Sequence, residues 1–146
     1  MDRIRTTGTA TGALLVVAGL IIPTGPAYAA VGSPTVYAHR AGAAYAPENT
    51  LAAIRNAHRL GIGWVENDVQ RTKDGRLVVI HDATLARTTN VEKLYPKRAP
   101  WRVKDFTLKE IKRLDAGGWF SRKYAGERIP TLTQYLDQLD RTGQGV

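Results

Sequence analysis

The strongest constraint on this chain is where its polar clusters fall. Three short apolar runs, Thr35–Ala38, Trp64–Val69 and Leu77–Ile80, end in or carry His39-Arg40, Glu66-Asn67-Asp68 and His81-Asp82. Runs of about four to eight residues are strand length. If each is a strand, two histidines, an arginine and a carboxylate pair each sit at or near a strand end. Between the first two runs, Leu51, Ile54 and Ala57, with His58 beside them, recur at helical spacing over Thr50–Leu60. Asn49 or Thr50 can cap that helix and Gly61 can stop it. Strand, helix, strand in this order predicts an α/β protein with at least one parallel βαβ unit.

The turn Lys73-Asp74-Gly75-Arg76 predicts a hairpin between the second and third runs. A two-residue Asp74-Gly75 turn would set Asp68 directly opposite His81. Asn90–Pro100 reads as a loop, and Thr107 to Glu110 as a capping box before Ile111 and Leu114. Asp115–Gly126 reads as a loop in which Trp119 and Phe120 pack on other groups. Pro130-Thr131 opens a last helix with Leu132, Tyr135, Leu136 and Leu139 on one face, and Gly143–Val146 begins a turn or strand.

Residues 1–29 read as a secretory signal peptide. Arg3 and Arg5 precede the apolar run Ala13–Ile22, Pro23 and Gly25 break it, and Ala27-Tyr28-Ala29 has the small residues a signal peptidase needs. The run is shorter than the ~20 apolar residues that span a bilayer. Cleavage after Ala29, secretion and no stable membrane anchor are the expectation. The chain has no cysteine, so neither a disulfide framework nor a lipidated thiol is available. The formal charge is +8, and Lys93–Arg128 alone holds eleven Lys/Arg against four Asp/Glu. Such a segment attracts anions or simply solvates the surface, and composition leaves both open.

Glu66 and Asp68 are two apart, so on a strand they project from the same side. Adjacent carboxylates repel unless a cation neutralises them, and hard divalent cations prefer oxygen ligands. Arg40 offers a fork that matches two phosphate oxygens. His39 and His81 can move protons near neutral pH. Together these residues suit metal-assisted cleavage of a phosphodiester, which needs charge neutralised, a nucleophile activated and a leaving alkoxide protonated. His58 lacks a partner at ligand spacing and reads as structural.

The ordered motifs HR, PENT, ExD, T-x-DG, VVxHD and L-x-RTT, followed by VKDFTLKEIKRLDAG and RIPTL, resemble the glycerophosphodiester phosphodiesterases of secreted bacterial type over about residues 35–140. The resemblance implies a TIM (β/α)₈ barrel of which only the N-terminal part is present, in residues 30–146. It implies hydrolysis of a small glycerophosphodiester to glycerol phosphate and an alcohol, with a divalent cation, Ca²⁺ or Mg²⁺. Carried over to this chain, His39 and His81 are the catalytic histidines, Glu66 and Asp68 metal ligands, and Arg40 the phosphate contact. Glu48 sits at the site and Asn49 supports it.

Two departures stand out. Ala41 replaces the glycine the family usually has after His-Arg, and Ala takes positive φ only at a cost. The family also places a further metal-binding Glu on the strand after the last helix read here, and that Glu is absent before Val146. The expectation is an N-terminal fragment, inactive or nearly so by itself. Two other readings are a related barrel that cleaves phospholipid head groups through a cyclic phosphate, and a non-catalytic remnant that binds anionic polymer through Lys93–Arg128. The ordered motifs favour a small-molecule substrate over nucleic acid.

Overall fold

The computed structural model describes residues 33–146. The signal-peptide reading and the Ala29 cleavage site lie outside the described residues.

Strand β1 (Tyr37–Ala38) runs into a 3₁₀ turn at His39–Ala41, and helix α1 spans Leu51–Arg59. Thr50 caps α1 by accepting a hydrogen bond from the Ala53 N–H. Its Ala52, Ala53, Ile54 and Ala57 are buried, while His58 stays exposed. The chain then returns as β2 (Trp64–Val65), which pairs in parallel with β1, Tyr37 beside Trp64 and Ala38 beside Val65. This is the expected βαβ unit. On the far side of β2, Gly145 forms a parallel bridge with Trp64, donating to the Gly63 carbonyl at 2.9 Å and accepting from the Val65 N–H at 3.0 Å. A third parallel position is thus started.

Strand β3 (Val69–Arg71) pairs antiparallel with β4 (Leu77–Val79). Trp64–Val69 is therefore not one strand. It breaks at Glu66–Asp68, where the chain leaves β1 for β4, and Val69 is exposed although Val65 is buried. The expected register is also corrected. Thr72 and Arg76 close a three-residue loop, the Thr72 N–H donating to the Arg76 carbonyl at 2.9 Å, with Gly75 at φ 77°. That is the longer hairpin loop with a left-handed residue at its end, not the two-residue turn. Val69 pairs with Val79, and the Ile80 N–H donates to the Asp68 carbonyl at 2.9 Å. Asp68 lies opposite Ile80, and His81 falls beyond the ladder.

Asn90–Pro100 is more ordered than a loop, holding the short helix α2 (Val91–Leu94) and a 3₁₀ turn at Pro96–Arg98. Helix α3 (Leu108–Ile111) starts at the expected capping box of Thr107 and Glu110. Helix α4 (Leu132–Thr142) has the same device in Thr131 and Gln134, and ends at Gly143 with φ 66°.

Strand β4 divides the interior. Val79 joins Ala38, Ala41, Ile54, Val65, Tyr135 and Leu139 in one core between the parallel strands and α1 and α4. Val78 and Ile80 face the other way, into Leu85, Val91, Val103, Phe106, Ile111 and Leu114. Alternation along one strand thus supplies two cores. Leu136 is exposed although it shares the helical spacing of the buried Tyr135 and Leu139, and Trp119 is exposed as well. Trp119 meets Phe120 edge to face, with ring centres 5.7 Å apart.

Candidate active site

β1, β2 and β4 deliver His39, Glu66 and His81 just past their last paired residues. The turn after β1 is tightly constrained backbone. Arg40 and Ala41 both adopt positive φ, 50° and 62°, ahead of Gly42 at 98°. A left-handed non-glycine residue costs roughly 1–2 kcal/mol. The strain at Ala41, expected from the sequence, is present. The turn brings two backbone amides onto one residue: Arg40 N–H donates to Glu66 Oε2 at 2.8 Å and Ala41 N–H to the Glu66 carbonyl at 3.1 Å.

From there one line of polar contacts links every residue singled out from the sequence. His39 Nε2 lies 3.9 Å from Glu66 Oε2, with its imidazole largely open to solvent. The Arg40 side chain lies between Asp68, whose Oδ2 is 3.7 Å from Nε, and Glu48, whose Oε1 accepts from Nη1 at 3.2 Å. Asn49 holds Asp68 from below. Its Nδ2 donates to Asp68 Oδ2 at 2.9 Å, its Oδ1 accepts from the Asp68 N–H at 3.4 Å, and its own N–H donates to the Arg40 carbonyl at 2.9 Å. It is 2% exposed and sits at φ 58°, a conformation that Asn tolerates better than most residues.

His81 does not meet Asp68. Its Nδ1 faces Asp82 Oδ1 at 2.6 Å. Asp82 is gripped by Arg87, with Nε to Oδ2 at 2.7 Å and Nη2 to Oδ1 at 2.9 Å. The same guanidinium holds Glu48, with Nη1 to Oε2 at 2.9 Å and Nη2 to Oε1 at 2.7 Å. Glu48 is thereby shared by two arginines, and its side chain is only 7% exposed. Asp82 and Arg87 carry the connection that the hairpin register was expected to provide. Both stand in the motifs VVxHD and L-x-RTT, and the signal for them is an aspartate directly after a candidate histidine with an arginine a few residues on.

The charges follow from these contacts. Arg87 holds the Asp82 carboxyl down at about 2, helped by His81. Hydrogen bonds from Arg87, and the charges of Arg87 and Arg40, hold Glu48 below the usual carboxylate range against the effect of burial. Glu48 and Asp82 in turn push the Arg87 guanidinium up. Burial, then the charges of Glu66 and Asp68, push the Tyr135 hydroxyl up from beneath the site. Four carboxylates, Glu48, Glu66, Asp68 and Asp82, face two guanidiniums, so acidic side chains outnumber arginines by two.

That balance and the donor chemistry fit a divalent cation. Arg40 N–H occupies Glu66 Oε2 and Asn49 occupies Asp68 Oδ2, while among the described residues no hydrogen bond engages Glu66 Oε1 or Asp68 Oδ1. Two hard oxygens are thus left for a cation that would take its other ligands from water or from further residues. Among the described residues, no group of three or more His, Cys, Asp or Glu side chains forms a metal cage by itself. Nor is any helix among them long and apolar enough to cross a membrane.

A model of the glycerophosphoryl diester phosphodiesterase family matches residues 39–144. A glycerophosphodiester phosphodiesterase of Caldanaerobacter subterraneus subsp. tengcongensis is 55% identical over 102 residues, covering 70% of this chain and 39% of that protein. One of Bacillus subtilis is 40% identical over 112 residues, covering 71% and 36%. An Oleispira antarctica phosphodiesterase, solved in complex with the product sn-glycerol-3-phosphate, aligns with a TM-score of 0.67 at 40% identity, covering 77% of this chain and 42% of that one. The chain spans less than half the length of these relatives, and the four strands among the described residues form an unclosed part of the barrel. It belongs to the glycerophosphoryl diester phosphodiesterase family.

Proposed function

We propose that the protein carrying this chain hydrolyses glycerophosphodiesters to glycerol phosphate and an alcohol, and that His39, Arg40, Glu66, Asp68 and His81 perform the step. The observation that carries this reading is the unbroken line of contacts joining these residues past the ends of three strands. Active sites of (β/α)₈ barrels lie at that end.

Ca²⁺ or Mg²⁺ held by Glu66 and Asp68 would neutralise charge on the phosphoryl oxygens. Arg40, tethered by Glu48, presents donors to the same oxygens. A carboxylate only accepts hydrogen bonds, so the His81 nitrogen facing Asp82 carries the proton and Nε2 is left to take one. His39, open to solvent, is reachable by substrate. One histidine removes the proton of the attacking oxygen and the other returns a proton to the leaving alkoxide.

Cation binding is tested by calorimetry on the chain. Glu66→Gln and Asp68→Asn are expected to weaken it at least tenfold, and unchanged affinity in both would remove the ligand assignment. Turnover is proposed for the complete barrel, so the 146-residue chain alone is expected to hydrolyse glycerophosphocholine at background rate. In a complete barrel, phosphorus NMR separates the two chemistries: free glycerol phosphate supports this reading, and a cyclic phosphate supports the head-group-cleaving alternative. Export is proposed through residues 1–29. Mass spectrometry of the secreted product is expected to find Ala30 as the first residue.

A further inference from the structure

We infer that Arg87 is a positioning residue that sets two reactive groups at once, fixing the ring of His81 through Asp82 and the guanidinium of Arg40 through Glu48. This rests on the reading of His81 and Arg40 as working residues.

The geometry is specific. Three nitrogens of Arg87 make four hydrogen bonds of 2.7–2.9 Å to two carboxylates that are 39 and 5 residues away in sequence. A planar fork satisfying both carboxylates leaves neither free to turn. Each carboxylate then spends an oxygen on a working side chain, Asp82 Oδ1 on His81 Nδ1 at 2.6 Å and Glu48 Oε1 on Arg40 Nη1 at 3.2 Å. Without Arg87, Asp82 keeps a single partner, His81, and its side chain is partly exposed. It can then swing to water. An exposed imidazole without a fixed acceptor has no reason to keep its proton on Nδ1. Asp82 stands to His81 as the aspartate of a hydrolase triad stands to its histidine, and Arg87 fixes that aspartate. The same cation also serves the phosphate-binding arginine.

A purely structural role is the competing account. Arg87 also ties the segment after β4 to the Pro47–Thr50 segment, and that alone would stabilise the fold. The two accounts part at the imidazole. The chain contains three histidines, so ¹⁵N-histidine NMR of the full 146-residue protein resolves each ring, with His→Asn variants giving the assignment. At a pH where the spectrum shows the His81 ring to carry one proton, that proton is expected on Nδ1 in the unaltered protein. In Arg87→Gln the Nε2-protonated form is expected to become the major species, and likewise in Asp82→Asn. Arg59→Gln, on the exposed end of α1, is the control and is expected to leave the His81 signals in place. If Arg87→Gln does not fold, Arg87→Lys replaces it. A single cation serves only one carboxylate, and an intermediate mixture of the two forms is expected.

The inference is overturned if His81 keeps its Nδ1 proton when Arg87 is replaced but loses it in Asp82→Asn, because Asp82 then holds the ring unaided. It is also overturned if His81 is never protonated on Nδ1. Neither result depends on turnover. Failure of the catalytic reading shows instead as full activity of His81→Asn in a complete barrel.

Discussion

The charge of Asp82 is firmly set by its partners. Its carboxyl is held at about 2 in the folded protein against 3.8 for the free group, first by Arg87 and then by His81. A carboxylate with a depressed folded value adds stability above its unfolded value and loses it as pH falls through the folded one. Urea midpoints of the chain are therefore expected to fall as pH drops from 3.8 towards about 2, and Arg87→Gln is expected to flatten that stretch of the curve. Asn49 gives a second expectation. It is buried, left-handed and bonded to both the side chain and the backbone of Asp68. Asn49→Ala is expected to cost about 1–3 kcal/mol in urea unfolding, and Asn49→Gly less, since glycine keeps the backbone conformation while losing the same bonds. The seven residues proposed for the site could be picked out in the sequence because each stands in an ordered motif. Arg87 was not, although its motif was. An arginine's partners are fixed by where two loops meet, and the 39-residue separation from Glu48 leaves no local trace.

Elements were easiest to read where one side chain settles a terminus. Thr50, one of two candidates, and Thr107 cap their helices as expected, and Thr131, read as opening the last helix, caps it too, because a hydroxyl that accepts from the N–H three residues on is a local device. Thr131→Ala is expected to cost ~1 kcal/mol, read from the shift in urea midpoint. The hairpin was legible as a turn but not as a register. Lys73-Asp74-Gly75 closes either a two- or a three-residue loop by composition, and the choice rests on contacts from outside it. Asp74 Oδ1 accepts from the Leu108 N–H at 2.9 Å and the Lys73 N–H donates to the Phe106 carbonyl at 2.9 Å. The break in Trp64–Val69 has the same origin, since one run serves two neighbours, β1 and β4. Gly117 was passed over as a loop residue. The Tyr124 carbonyl stands where its Cβ would be, so Gly117→Ala is expected to destabilise the chain by more than the ~1 kcal/mol typical of a point change.

For the molecule as a whole, the sequence pointed to an α/β barrel in part, and the structure agrees: one parallel βαβ unit, a hairpin whose β4 serves two cores, and a further parallel bridge at Gly145. What local pattern could not show is that the cores lie on opposite faces of β4, leaving the ends of β1, β2 and β4 to meet on one polar surface. The central claim is that this surface is a phosphodiesterase site whose proton transfers run through His39 and His81. The measurement that tests it joins this chain, from β1 to the end of α4, to the remaining part of the Caldanaerobacter relative, so that the barrel is complete. Glycerol phosphate release from glycerophosphocholine is then compared with and without His81→Asn. The account predicts cation-dependent release that falls about a hundred- to ten-thousand-fold in the variant. Equal rates in the folded wild-type and His81→Asn barrels would contradict it.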